Sequence, residues 1–303
     1  MSTIRPADGA RLVALAIIWS LSFVFLRIVV PAIGPLWMAT ARLLFGGLAL
    51  CAWLALTRTQ VDVRTRWRAY LLVGIVNSAL PFVLFGYGAL HLPASCLVIL
   101  NATLPLFVAV LGVVALRERL TAPKLLALAA GLAGVALVTR TVPVEADASF
   151  VLAVAAGLGA TLCYAIAAIG LKRYGSTLPP AGIAAWSQVF AAVMILPFAV
   201  PSRVAGPIDV EVVLSMAALA LACSGIAYLL YFRLIRDIGP ARTSTVTFLM
   251  PAFGMLWGAW FLGESITPGM IAGAALIVAG TATVLRQRPG GAAARTADPA
   301  RAA

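Results

Sequence analysis

What this chain lacks is charge in the middle of its apolar runs. Only 10 of 303 residues are Asp or Glu and one is His, and each of these falls at the edge of an apolar run or between two runs. A carboxylate at mid-depth in a membrane is the usual carrier of a coupling proton and the usual partner of an organic cation. Its absence argues against a proton-coupled antiporter of cationic drugs. The four cysteines (Cys51, Cys96, Cys163 and Cys223) form no CxxC and have no neighbouring His, so they read as small buried hydrophobes rather than metal ligands. No glycine-rich phosphate loop followed by Lys-Ser or Lys-Thr, no HExxH and no serine-nucleophile elbow occurs. The sequence therefore offers no ATPase, no metal site, no cofactor and no catalytic residue.

What is present is apolar. The chain is 63% hydrophobic and 11% charged, with a mean hydropathy of +1.05. A soluble domain of this size could not cover that much apolar surface with polar side chains. The net charge of +12 does not point to nucleic acid, because the basic residues sit in short clusters between apolar runs rather than on one face of a module. About 20 apolar residues rising ~1.5 Å each cross a hydrocarbon core of roughly 30 Å. By that ruler ten spans are expected: 11–30, 35–56, 68–90, 93–116, 122–140, 149–171, 181–200, 211–235, 240–262 and 267–286. The first run reads as an uncleaved span rather than a secretion signal, since nine more follow. Residues 287–303, rich in Arg, Ala, Gly and Pro, read as a disordered tail. With ten spans, only Arg27, Arg140 and Arg203 fall on one side and Arg42 within a span; the other 18 of the 22 Lys and Arg fall on the side of the termini. That asymmetry predicts an inner-membrane protein with both termini cytoplasmic.

Residues 101–140 return at 247–286. At an offset of 146 positions Pro105 meets Pro251, Gly112 meets Gly258, Glu118 meets Glu264, Thr121 meets Thr267 and Gly134 meets Gly280. Such a register over 40 residues is an internal repeat, dividing the chain into 11–140 and 149–286. Five spans per copy is an odd number, so the second copy must enter the membrane from the opposite side. The expected fold is all-α: ten transmembrane helices in two inverted five-helix repeats, an arrangement suited to alternating access around a midplane site.

Three prolines, Pro81, Pro105 and Pro251, fall mid-span and read as hinges. The carbonyls they free belong to Asn77, Asn101 and Thr247, which should face protein, water or substrate rather than lipid. Those polar groups either contact substrate or only repair their own kinks. Arg42 is the one ionisable residue well inside a span. It either anchors a substrate carboxylate or phosphate, or reaches a helix end or the surface. Trp19, Tyr164, Trp186 and Tyr228 lie deeper than the interfacial aromatics and, with Ser22, Gln188 and Ser224, can line a pocket for an apolar body with a polar head. Glu118 and Glu264 read as caps of the helices that follow them, or as partners of Arg117 or Arg119. Small-residue pairs such as Gly131 with Gly134 and Gly269 with Gly273 can pack the bundle or support a homodimer.

Trp19-Ser-Leu-Ser-Phe23, Arg42, and the paired endings Pro105…Leu116-Arg-Glu118-Arg-Leu-Thr121 and Pro251…Leu262-Gly-Glu264-Ser-Ile-Thr267 resemble the EamA branch of the drug/metabolite transporter superfamily over residues 11–286. The resemblance implies ten helices in inverted repeats, a central cavity with Trp19, Ser22 and Arg42 on its wall, and export of amino acids and other small metabolites. The expected function is a secondary transporter of that kind, with a small-molecule substrate and the lipid bilayer as partners. Alternatives are a nucleotide-sugar or organophosphate exchanger, drug efflux, a passive channel or a membrane enzyme.

Overall fold

The structure is a computed structural model that describes residues 5–174 and 178–286; the expected disordered tail, 287–303, lies outside them. Among the described residues the elements are helices: α1 (Pro6–Leu56), α2 (Trp67–His91), α3 (Ala94–Leu116), α4 (Ala122–Thr141), α5 (Ala148–Tyr174), α6 (Pro180–Ala199), α7 (Val210–Ile238), α8 (Val246–Leu262) and α9 (Pro268–Arg286). Eight of these are long and apolar enough to cross a membrane, and α8, at 17 residues, is just short of that length. The 51-residue α1 is two helices joined at Gly34, whose φ of 79° and ψ of 162° no L side chain adopts without strain. Pro31 and Pro35 flank the joint, each removing a backbone donor there. The observed ends lie within a few residues of the expected spans, except at the start of α8, where a separate turn, Pro240–Thr243, precedes the helix.

Side-chain ties show which helix ends lie together. At the end where α1 begins, the near end, Arg11 pairs with Asp237 at 3.5 Å, Lys172 with Glu118 at 3.3 Å, and Arg173 Nη1 donates to the Ala115 carbonyl at 3.1 Å. At the Gly34 end, the far end, Trp37 Nε1 donates to the Ser202 carbonyl at 3.4 Å and Arg27 Nη1 to the Ala89 carbonyl at 2.6 Å. The Gly206 amide also reaches the Ala32 carbonyl there, at 3.0 Å.

The interior is packed by Leu15, Val29, Met38, Leu43, Leu97 and Ile99, all fully buried. The outer surface is apolar as well: Val114 is 74% exposed and Leu132 and Trp260 are each 73% exposed. A large exposed apolar surface of that kind is what a lipid-facing wall presents.

α4 and α9 touch backbone to backbone. A Cβ on Gly134 would lie 2.6 Å from the Gly273 carbonyl oxygen, and one on Gly280 would lie 2.6 Å from the Ala127 carbonyl oxygen. Pairing 134 with 273 and 127 with 280 makes the two helices antiparallel. Residues 273 and 280 are also the repeat counterparts of 127 and 134, so the contact is reciprocal, as across a two-fold axis.

Candidate functional site

Arg42 lies on the second half of α1 and is only 6% exposed. Its Nε donates to Ser224 Oγ on α7 at 2.9 Å, and its guanidinium carbon sits 3.9 Å from the centre of the Phe82 ring. Among the described residues no acid is paired with it, and its two terminal nitrogens have no protein acceptor. A guanidinium so far from bulk water is costly without an anion or carbonyl to receive it. The ring beneath it offsets part of that cost.

Two π-type turns build this environment. One spans Ile75–Ala79 in α2 and the other Ala218–Ile226 in α7, and at an offset of 146 the first maps inside the second. Such wide turns are common at functional sites because they reorient side chains and free a carbonyl. The second turn supplies Ser224. Gln188 Nε2 on α6 donates to the Ser224 carbonyl at 3.2 Å and to Ala184 at 2.8 Å, leaving its buried Oε1 without a partner. The first turn supplies Asn77 and Ser78, which face the Tyr228 hydroxyl. Tyr164 and Tyr228 both lie within electrostatic reach of Arg42. Trp19 closes the side wall, with ring centres 6.4 Å from Tyr228 and 5.3 Å from Tyr231. Phe85 stands 6.2 Å from Tyr164.

The structure thus brings Arg42, Asn77, Tyr164, Gln188, Ser224, Tyr228 and Trp19 around one region. Ser22 and Thr247 are buried but donate their hydroxyls to nearby backbone carbonyls, Ser22 to Trp19 of its own helix at 2.6 Å and Thr247 to Ser244 in the turn before α8 at 2.8 Å. Asn101 is buried on α3 with Oδ1 unpartnered, and no contact ties it to Arg42. Trp186 belongs to an apolar cluster with Leu50, Leu54 and Phe232. Phe82, Ser78 and Tyr231 were not singled out by sequence. Only the proximity of Phe82 and Ser78 to Pro81 hinted at them.

Pro81 follows the π-type turn directly, and Pro105 follows a tight turn at Ala102–Thr103, whose Ala102 carbonyl accepts from Thr281 Oγ1 at 3.2 Å. Pro251 instead sits inside continuous α8, and the break in that segment lies earlier, at Ser244–Thr245.

The two glutamates at matching repeat positions, Glu118 and Glu264, correct the sequence expectation. Each follows a left-handed residue that ends its helix, Arg117 with φ 54° and Gly263 with φ 64°. Each also returns its amide to a glycine six residues back, Glu118 to Gly112 at 3.2 Å and Glu264 to Gly258 at 3.0 Å. Neither caps the helix that follows it. Glu264 instead caps α3, accepting from the Ala94 amide at 2.6 Å, the Ser95 amide at 3.0 Å and the Ser95 hydroxyl at 2.6 Å. Glu118 pairs not with Arg117 or Arg119 but with Lys124 at 3.0 Å and Lys172 at 3.3 Å. The Lys124 hydrogen bond, helped by Lys172, holds the Glu118 carboxyl below the usual range. One carboxylate therefore lies at the first residues of α3 and the other just beyond its last.

Two cavities lie away from Arg42. One of about 440 Å³, between Ile33 and Phe45 of α1 and Val213 and Leu221 of α7, is lined by apolar side chains and offers no handle for a polar group. The other, of about 500 Å³ at the near end, is lined by Arg5, Arg11, Arg233, Arg236 and Arg242 against only Asp8 and Asp237.

Residues 10–140 and 151–286 each match the model of the EamA-like transporter family. The chain belongs to that family. This EamA-like chain is 27% identical over 281 residues to a protein of Chlamydia trachomatis serovar L2 named S-adenosylmethionine/S-adenosylhomocysteine transporter, covering 88% of this chain and 85% of the relative. It is 25% identical over 286 residues to a protein of Salmonella typhimurium named probable amino-acid metabolite efflux pump, covering 90% and 93%. A solved crystal structure aligns with a TM-score of 0.66 at 16% identity, covering 92% of this EamA-like chain and 96% of its own, which speaks to fold alone. Family membership and these relatives make the chain a transporter with several membrane-crossing helices.

Proposed function

We propose that the chain exports small metabolites, amino acids or related compounds, across the inner membrane by alternating access. In this reading ten crossings form two inverted repeats, 11–140 and 149–286, with both termini cytoplasmic. The observation that carries it is the unequal state of the two copies of one latch. At the far end Glu264 clamps the start of α3. The repeat counterpart of that start is Pro240–Thr243, yet Glu118 is engaged by Lys124 and Lys172. Equivalent glutamates holding different partners at opposite ends of α3, each reaching a helix of the other copy, are the kind of asymmetry a rocking pair of repeats can use. The reciprocal, antiparallel contact of α4 with α9 supports the same inverted symmetry. Arg42 would hold the anionic group of the substrate, beside the π-type turns. The name of the Salmonella relative favours an amino-acid metabolite as cargo.

Counterflow in proteoliposomes, with a panel of labelled amino acids and organic cations, tests the reading. Saturable exchange of an amino-acid-type compound is expected, abolished by Arg42→Ala and partly restored by Arg42→Lys. Exchange of organic cations alone, or linear flux without competition, would overturn it.

A further inference from the structure

Resting on the reading that Arg42 holds the cargo, we infer that, within the class of amino acids and related compounds, the preferred ligand is the relative without the ammonium group: an organic monocarboxylate with a flat apolar body. Among the described residues Arg42 is the one fixed charge in the buried interior of the spans, and the acids there lie at helix ends or in connections. A site built for a zwitterion needs an anion or several convergent carbonyls for the ammonium. Here the second pole would meet the same guanidinium that holds the first, in a region of low dielectric.

Geometry sharpens the class. Because Nε is committed to Ser224, the free Nη pair presents the end-on fork that receives two carboxylate oxygens. The guanidinium is fixed from below by Phe82 at 3.9 Å, so the fork is preorganised and turns little on binding. Tyr164 and Tyr228 lie within electrostatic reach of it, and Trp19 packs against Tyr228, with Tyr231 beyond. Aromatic walls of this kind favour a flat apolar body. The unpartnered Oε1 of Gln188 is a single neutral acceptor. It suits a hydroxyl or amide on the ligand better than a full positive charge. The arginine-rich pocket at the near end adds a field that concentrates anions at that end and repels cations.

The test varies the head group on one body. 3-Phenylpropionate, L-phenylalanine and 3-phenylpropylamine share a phenyl ring and a three-carbon chain but carry a carboxylate, a zwitterion and an ammonium. Binding is read as thermal stabilisation of the purified full-length protein, and transport as counterflow of labelled compound in proteoliposomes. We expect 3-phenylpropionate to half-saturate at a concentration at least about tenfold below phenylalanine, and the amine to give no stabilisation. Arg42→Gln should erase the advantage of the carboxylate, and Arg42→Lys, which keeps the charge, should retain it while weakening affinity. Phenylalanine equal to or better than 3-phenylpropionate, with both lost in Arg42→Gln, would overturn this inference and leave the role of Arg42 standing. Unchanged binding in Arg42→Gln would overturn both. If none of the three binds the wild-type protein while aliphatic acids do, the aromatic part of the inference falls.

Discussion

At the scale of single residues, the guanidinium of Arg42 is oriented by one hydroxyl and one ring. Removing the hydroxyl, Ser224→Ala, frees Nε and lets the fork swing. The expected result is a KM raised about three- to tenfold with little change in kcat, the pattern of a lost positioning contact, and Ser224→Thr should restore it. Counterflow kinetics check this. Arg42, Gln188 and Ser224 were legible in the sequence because each is polar inside an apolar run. Phe82 and Tyr231 were not, since an aromatic among Leu, Val and Phe gives no contrast. Ser22 and Thr247 show the opposite limit. Polarity made them visible, but sequence cannot tell a hydroxyl that serves a nearby backbone carbonyl from one that is free.

The latch and the hinges belong to the scale of elements. Glu118 ties the end of α3 to Lys124 at the start of α4 and Lys172 at the end of α5. Its pKa is lowered in the folded protein, so its contribution is present above the ordinary carboxylate range and fades as pH falls through the lowered pKa. The wild-type melting temperature should exceed that of Glu118→Gln at pH 7, and the gap should narrow as pH falls below the ordinary carboxylate range. The pair is partly exposed, so the gap should be small and shrink with salt. Pro81 and Pro105 marked real irregularities, as the loss of a backbone donor requires. Pro251 did not: the break falls at Ser244 and Thr245, whose carbonyls accept short-turn bonds from Thr247 and Phe248 while the Thr245 amide and hydroxyl bond to the Arg242 carbonyl. The π-type turns carried no readable signal, for an extra residue in a helical turn leaves the composition unchanged.

For the whole molecule, the antiparallel packing of α4 on α9 holds the two copies together where no side chain separates their backbones. Gly134→Leu must push α9 away, since the nearest atom is the Gly273 carbonyl oxygen at 2.6 Å. A cost of about 1–3 kcal/mol or more follows from overpacking of this kind, read as a lower melting temperature and loss of transport. Most of the apolar runs and their ends were legible because lipid imposes length and composition on a crossing, the start of α8 being the exception. Which helix end clamps which was hidden, because Glu264 and Ala94 are 170 positions apart and only the folded chain brings them together.

The proposed export by alternating access depends on the inverted relation proposed for the two copies. Arg119 and Ser265 are exposed counterparts, 146 positions apart, beside the two latch glutamates. In a background with all four native cysteines replaced by alanine, Arg119→Cys and Ser265→Cys are each treated in intact spheroplasts with a thiol reagent that cannot cross membranes. The account predicts labelling of the 265 variant from outside and of the 119 variant only after the membrane is opened. Labelling of both from the same side would contradict it.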